Sequence, residues 1–333
     1  MNRAVRTILI ILGILIVVGV AGVGALYIGT AGDYPVQATV VDDPALPSTE
    51  INGVRLHAET FGDPANPVVI VLHGGPGGDY RSLLGLQGLA DAYYVVFYDQ
   101  RGAGLSERVP AEMLALPSYL EELDAVVDQY GQGQPVSLIG HSWGGMLLSA
   151  YLGYAPEKVE KAVLAEPGFL NMAEFQSWQE RSAQLNGGLD YIWFAARTGF
   201  AAQHGDGPDE DAGNDYLYGE IVHHFVNHPD NPYHCPSEAY DAPSWRFGAQ
   251  ASQASNQATE AEINSLADGA EQFTRPVLFP AGECDTWIGA NLQTQHADMY
   301  ADADLVVIPA AGHDMFWDNP ADSLAAVRAY LDS

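Results

Sequence analysis

The sequence predicts an α/β protein: a mostly parallel sheet with helices on both faces, interrupted by a helical insertion. Three observations predict it. Short apolar runs recur from about residue 50, and stretches with helical spacing lie between them. The runs are apolar throughout rather than alternating, as strands buried on both faces by crossover helices must be. This rhythm fails between residues 171 and 271, where no strand-like run occurs.

Taken in order, the first element is not part of that fold. Arg3 and Arg6 precede an uncharged segment from Thr7 to Ile28. As a helix rising ~1.5 Å per residue it spans about 33 Å, enough for a hydrocarbon core and longer than the usual signal-peptide apolar region. The two arginines favour a cytoplasmic N-terminus, which places the body in the periplasm or outside the cell. An uncleaved anchor is favoured over a signal that is removed at the small-residue triplet Gly29-Thr30-Ala31 to release a secreted body. Pro35–Pro47 reads as a polar linker.

Strands are expected at Val54–Thr60, Pro67–Leu72, Tyr93–Tyr98, Val136–Ile139, Ala162–Ala165, Val277–Phe279 and Leu305–Ile308. Helical spacing marks Ser118–Tyr130 and Asp322–Tyr330. In the insertion, aromatic helices (Phe175–Leu185, Leu189–Phe200, Tyr216–His228) are separated by Gly/Asp/Pro breaks, the pattern of a helical lid. The organisation expected is an anchor or signal with the start of a linker (1–32), a split core (33–170 with 272–333) and a lid (171–271).

Composition narrows the function. The 333 residues carry 13 Lys+Arg against 43 Asp+Glu, a net charge of −30, and Lys158 and Lys161 are the only lysines. So acidic a chain repels phosphate backbones, which excludes nucleic acid as a partner. With 47% hydrophobic residues there is ample material for a core. Two cysteines, Cys235 and Cys284, exclude a disulfide scaffold and multi-cysteine zinc sites; in an oxidising compartment they could pair and tie the lid to the core.

The chemistry-bearing residues sit at strand ends. Gly140-His141-Ser142-Trp143-Gly144 follows one run and precedes a helical segment, the setting of a nucleophile elbow that exposes Ser142. Asp285 and His313 follow the last two runs, in the order Ser…Asp…His. His313 is the expected general base and Asp285 the group that fixes its tautomer. His73-Gly74-Gly75-Pro76-Gly77-Gly78 ends an earlier run. There the amide of Gly75, or failing that of Gly74, is expected to pair with that of Trp143 as an oxyanion hole. The Gly75–Pro76 bond is a candidate for the cis form. Asp99-Gln100-Arg101-Gly102 reads as structural support for that loop. His141 reads as a packed histidine rather than a second base. His224 and His228 have i, i+4 spacing but lack the glutamate of H-E-x-x-H, so no metal site is expected.

Residues 68–78 (VVIVLHGGPGG), 95–106 (VVFYDQRGAGLS), 138–145 (LIGHSWGG), 282–285 (GECD) and 311–313 (AGH) resemble the α/β-hydrolase superfamily. HGGPGG together with DQRGxGxS resembles, more narrowly, the proline iminopeptidase (prolyl aminopeptidase) family of serine peptidases. The resemblance implies the α/β-hydrolase fold and an acyl-enzyme route that needs neither metal nor organic cofactor. It also implies release of an N-terminal residue, often proline, from short peptides. His141 stands where that family usually has glycine, and a histidine there is common in esterases, so an ester, lactone or amide hydrolase is the alternative. Epoxide hydrolases share the architecture but normally carry an aspartate in place of Ser142. A ligand-binding protein without catalysis is the third reading. Iminopeptidases hold the free α-amino group with lid glutamates. The candidates here are Glu166, directly after a strand, and Glu174, Glu180, Glu210, Glu220 and Glu238, with Glu166 best placed. The acidic field would draw cationic peptide N-termini inward.

Overall fold

The computed structural model describes residues 2–205, 207–236 and 240–333. Its first helix, α1 (Arg3–Gly29), projects from the body with its apolar side chains exposed. Eight strands follow in one sheet: β1 (Ser48–Ile51), β2 (Val54–Phe61), β3 (Val68–Leu72), β4 (Tyr94–Tyr98), β5 (Val136–His141), β6 (Val159–Ala165), β7 (Val277–Gly282) and β8 (Ala303–Ile308). Their order is β1-β2-β4-β3-β5-β6-β7-β8. β2 runs antiparallel to both β1 and β4, and β3 through β8 are mutually parallel. The expected α/β-hydrolase architecture is present, with β1 an additional edge strand that its polar sequence STEI does not announce.

Alternate residues of each central strand enter different cores. Ile70 and Leu72 pack with helices α2 (Leu116–Gly131) and α3 (Trp143–Tyr154), whereas Val69 and Val71 pack on the opposite face. That second face is closed by a 3₁₀ segment (Arg81–Asp91) and the C-terminal helices α11 (Met315–Asp318) and α12 (Pro320–Leu331). Because both faces are covered, the strands need no polar face, and this produces the continuous apolar runs.

Between β6 and β7 the chain is helical among the described residues: α4 (Met172–Leu185), α5 (Gly188–Ala202), α6 (Ala212–Val226), α7 (Ala249–Ser255), α8 (Glu260–Ser265) and α9 (Asp268–Gln272). Local chemistry starts two of these. Asn171 accepts the Glu174 amide at the head of α4, and Thr259 with Glu262 forms a reciprocal capping box on α8. α10 (Ala290–Ala297) then bridges β7 and β8.

The stretch expected as a polar linker is instead packed onto the body. Val40 is buried, its amide donates to the Leu105 carbonyl, and Arg246 donates to the Gln37 carbonyl. Its polar sequence conceals a backbone that satisfies side chains distant in the chain.

Candidate active site

β3 and β5 through β8 run in parallel, so residues that follow their carboxyl ends gather on one edge of the sheet, where open α/β sheets bind ligands. These residues are His73, Ser142, Glu166, Asp285 and His313.

Ser142 occupies the turn between β5 and α3 with φ 54° and ψ −118°. A non-glycine residue at such a positive φ is strained by about 1–3 kcal/mol. The surroundings hold it there: its amide donates to the Ala165 carbonyl and its carbonyl accepts from the Met146 amide. A side chain on Gly140 would strike the Gly144 backbone, and one on Gly144 would strike that of Leu72. The turn therefore tolerates no bulk on either side, and Ser142 faces a cavity of about 1070 Å³.

Gly74, Gly75 and Trp143 line the same cavity. A Cβ on Gly74 would lie 3.0 Å from the Ser142 Cβ, so this loop passes directly over the serine. Trp143 is the first residue of α3, where an amide has no intrahelical acceptor. Gly75 has φ 51° and its carbonyl accepts from the Gly78 amide, which forms a tight turn. No cis peptide occurs among the described residues, so Gly75–Pro76 is trans.

Within the Asp99–Gly102 segment expected to support this loop, Gln100 ties the loop to the elbow. Gln100 donates its side-chain amide to the His73 carbonyl and its backbone amide to His73 Nε2, and it accepts from the Trp143 indole at 2.8 Å. Its neighbours are structural, as expected. Asp99 accepts from the amides of Tyr80 and Leu105 and pairs with His57, while Arg101 pairs with the buried Glu122.

His313 also lines the cavity, and its Nδ1 meets two carboxylates rather than one. Glu166 Oε2 is 2.8 Å away, whereas Asp285 Oδ2 is 3.7 Å away and has no hydrogen-bond partner among the described residues. Asp285 Oδ1 accepts from the Trp287 and Ile288 amides, and Glu166 Oε1 from the Gly282 amide. Glu166 has φ 47°, a second strained residue at the site. It is 0% exposed and lies behind His313 rather than on the cavity wall, so it cannot hold the α-amino group of a ligand in the cavity. The sequence located Glu166 correctly after its strand, but its left-handed backbone turns the carboxylate into the protein.

Electrostatics match this burial. Desolvation, reinforced by Asp285, pushes the Glu166 carboxyl well above its ordinary range, and desolvation pushes Asp285 up to about 7. Desolvation, with His141 and His234 nearby, holds His313 well below the ordinary histidine value. His141 is buried, held down to about 4 by desolvation, and bonded through Nε2 to the His313 carbonyl, so it is a packing partner as expected.

The helical segment completes the site. The Tyr233 carbonyl accepts the His313 amide at 2.7 Å, and the two rings lie 4.7 Å apart. Cys235 is disulfide-bonded to Cys284, the residue before Asp285. Of the carboxylates considered for amine binding, Glu220 alone among the described residues lines the cavity. Glu174 pairs with His296, Glu180 and Glu210 are exposed, and Glu238 lies outside the described residues. His224 stacks on Phe194.

Comparison with known proteins places this geometry in a family. The family model described as alpha/beta hydrolase fold matches residues 67–320. A proline iminopeptidase of Heyndrickxia coagulans is 38% identical over 120 residues, 35% of this chain and 41% of that protein. Epoxide hydrolase A of Mycobacterium tuberculosis is 33% identical over 155 residues, 46% of this chain and 48% of that protein. The matches thus span less than half the length of these curated relatives. Among solved structures, the proline iminopeptidase-related protein of Thermus thermophilus superposes with a TM-score of 0.58 at 23% identity, covering 86% of this chain and 96% of that one. The chain resembles proline iminopeptidases in sequence, and it belongs to the alpha/beta hydrolase fold family.

Proposed function

We propose that the protein is a serine hydrolase of the proline iminopeptidase type, anchored in a membrane by α1. One observation carries the catalytic reading: Ser142 is held in a strained turn on the wall of a large cavity, and the same wall carries His313, a histidine backed by two buried carboxylates. Ser142 Oγ attacks the substrate carbonyl carbon while His313 Nε2 takes its proton. The tetrahedral oxyanion is met by the amides of Gly75 and Trp143, with Gly74 adjoining. Protonated His313, its Nδ1–H donating to Glu166 and facing Asp285, passes the proton to the leaving amine as the C–N bond breaks. Water, deprotonated in turn by His313, then releases the acid product.

Peptide specificity is supported by the HGGPGG and DQRG segments and by Glu220 on the cavity wall, where it can meet an ammonium group. The helices between β6 and β7 act as the lid. A second reading, an ester or lactone hydrolase, is favoured by the apolar part of the same wall, where Phe169, Phe175, Trp178 and Phe225 suit a hydrophobic acyl group.

The deciding experiment has two stages. A fluorophosphonate probe is expected to label the wild type and not Ser142→Ala; equal labelling of both would remove Ser142 from its role. Turnover of Pro-, Ala- and N-acetyl-Pro-arylamides is then compared with that of short-chain aryl esters. The peptidase reading requires a free amine, so undiminished cleavage of the acetylated substrate sinks it in favour of the second reading.

A further inference from the structure

α5 is apolar on both sides. Its inward side carries Phe194, which stacks on His224 of α6, and the buried Thr198 and Ala201. At 100° per residue, Leu189, Ile192, Trp193, Ala196 and Phe200 form a stripe on the other side. Leu189 is 83% exposed, Ile192 62% and Trp193 56%. Only Asp190 and Arg197 are charged in this helix. A helix hydrophobic all round belongs in a core or in a membrane, and this stripe is in no core.

What lies beside the stripe identifies its occupant. α1 packs against α5. His204, two residues beyond α5, bonds to the Tyr27 carbonyl at 2.7 Å, with the two rings 4.2 Å apart. The chain leaving α1 is also fixed: Tyr34 donates to the Thr30 carbonyl and packs its ring near Tyr216 of α6. Pro35 and Val36 then line the cavity that contains Ser142. α1 therefore ends beside α5, and the chain that leaves it runs directly to the cavity wall.

We infer that the Leu189–Ile192–Trp193 face of α5 docks on the lipid–water interface of the membrane that α1 spans, and holds the cavity against that surface. The inference rests on the anchor reading above. Tryptophan at such an interface keeps its indole N–H near water while its ring enters the acyl boundary, and Arg197 on the flank of the stripe can reach headgroup phosphates. The acidic body makes a zwitterionic surface the favoured one.

The test uses the full chain in phosphatidylcholine vesicles. Because both native cysteines are paired, Trp193→Cys and, separately, Leu12→Cys each offer one thiol for an environment-sensitive fluorophore. Lipid brominated in its acyl chains should quench the label at both positions, and adding Ile192→Glu should abolish quenching at 193 while leaving that at 12. Fluorophosphonate labelling of each variant checks that it is folded. Quenching at 12 without quenching at 193 overturns the docking surface and leaves the anchor intact. Quenching at neither position overturns the anchor reading and the docking surface with it. A blue shift at 193 that follows protein density and not bromination assigns the face to a second copy of the chain, and also overturns the inference.

Discussion

His313 meets Glu166 at 2.8 Å and Asp285 at 3.7 Å, so the orienting charge is divided between two strand ends. Two carboxylates this close and buried oppose each other's ionisation, and Asp285 helps to raise Glu166. Glu166→Gln keeps an acceptor for Nδ1–H but loses the nearer charge, and is expected to lower kcat about 10²–10⁴-fold. Asp285→Asn should cost less. It also removes the like charge that raises Glu166, so the acid limb of kcat/KM should move to lower pH. Measured pH–rate profiles decide this: a larger loss in Asp285→Asn, with no shift of the limb, would return the orienting role to Asp285 alone. Glu220 is tested separately. Glu220→Gln should raise KM for free-amine substrates about ten- to a hundredfold, the value of a charged hydrogen bond, and leave N-acetylated ones unchanged.

At the scale of elements, the site is assembled from loops that hold one another. The segment through Tyr233 supplies the carbonyl for the His313 amide, the Pro232 carbonyl accepts from the Thr286 amide, and Cys235–Cys284 closes the connection. The bridge links residues 49 apart, a loop whose closure restricts the unfolded chain by about 4 kcal/mol. Replacing both cysteines by serine should therefore lower the thermal midpoint by several degrees. Because the bridge adjoins Asp285, kcat should fall as well. Calorimetry and steady-state kinetics of Cys235→Ser/Cys284→Ser check both, and an unchanged midpoint would contradict the stabilising role. Gln100 does similar work by linking the glycine loop to the elbow, a contact between segments distant in sequence.

Over the whole molecule, buried carboxyls couple stability to pH. Desolvation raises Glu122 and Asp285 to about 7, and Asp314 likewise, with Asp318 contributing there. Asp79 is raised to about 6 by desolvation and Asp99. The folded state keeps these protons while the unfolded chain releases them above about pH 4, so their stabilisation is lost as pH rises toward 7. Buried His73, His141 and His313 act oppositely, because desolvation lowers them and the unfolded chain takes up protons below about pH 6.5. The carboxyls, with Glu166 among them, outnumber these histidines, and repulsion from a net charge of −30 adds in the same direction. The melting temperature should be higher at about pH 5.5 than at about pH 8. Thermal denaturation in matched ionic strength tests this, and a lower midpoint at the acidic pH would refute it.

Sequence alone determined the parallel sheet, because strands covered on both faces must be continuously apolar, and it determined the positions of Ser142, Asp285 and His313 at strand ends. The glycines around Ser142 were legible for the same local reason: the turn admits no side chain. The N-terminal apolar span was legible from its length. Tertiary structure decided what depends on orientation and on distant partners. The left-handed backbone of Glu166 turns its carboxylate onto His313 instead of into the cavity, and β1 forms because a polar segment finds an edge to pair with. The polar stretch after α1 lies on the body because distant side chains bond its carbonyls. Local periodicity encodes which residues are buried; which carboxylate reaches which nitrogen is fixed only when separate strand ends converge.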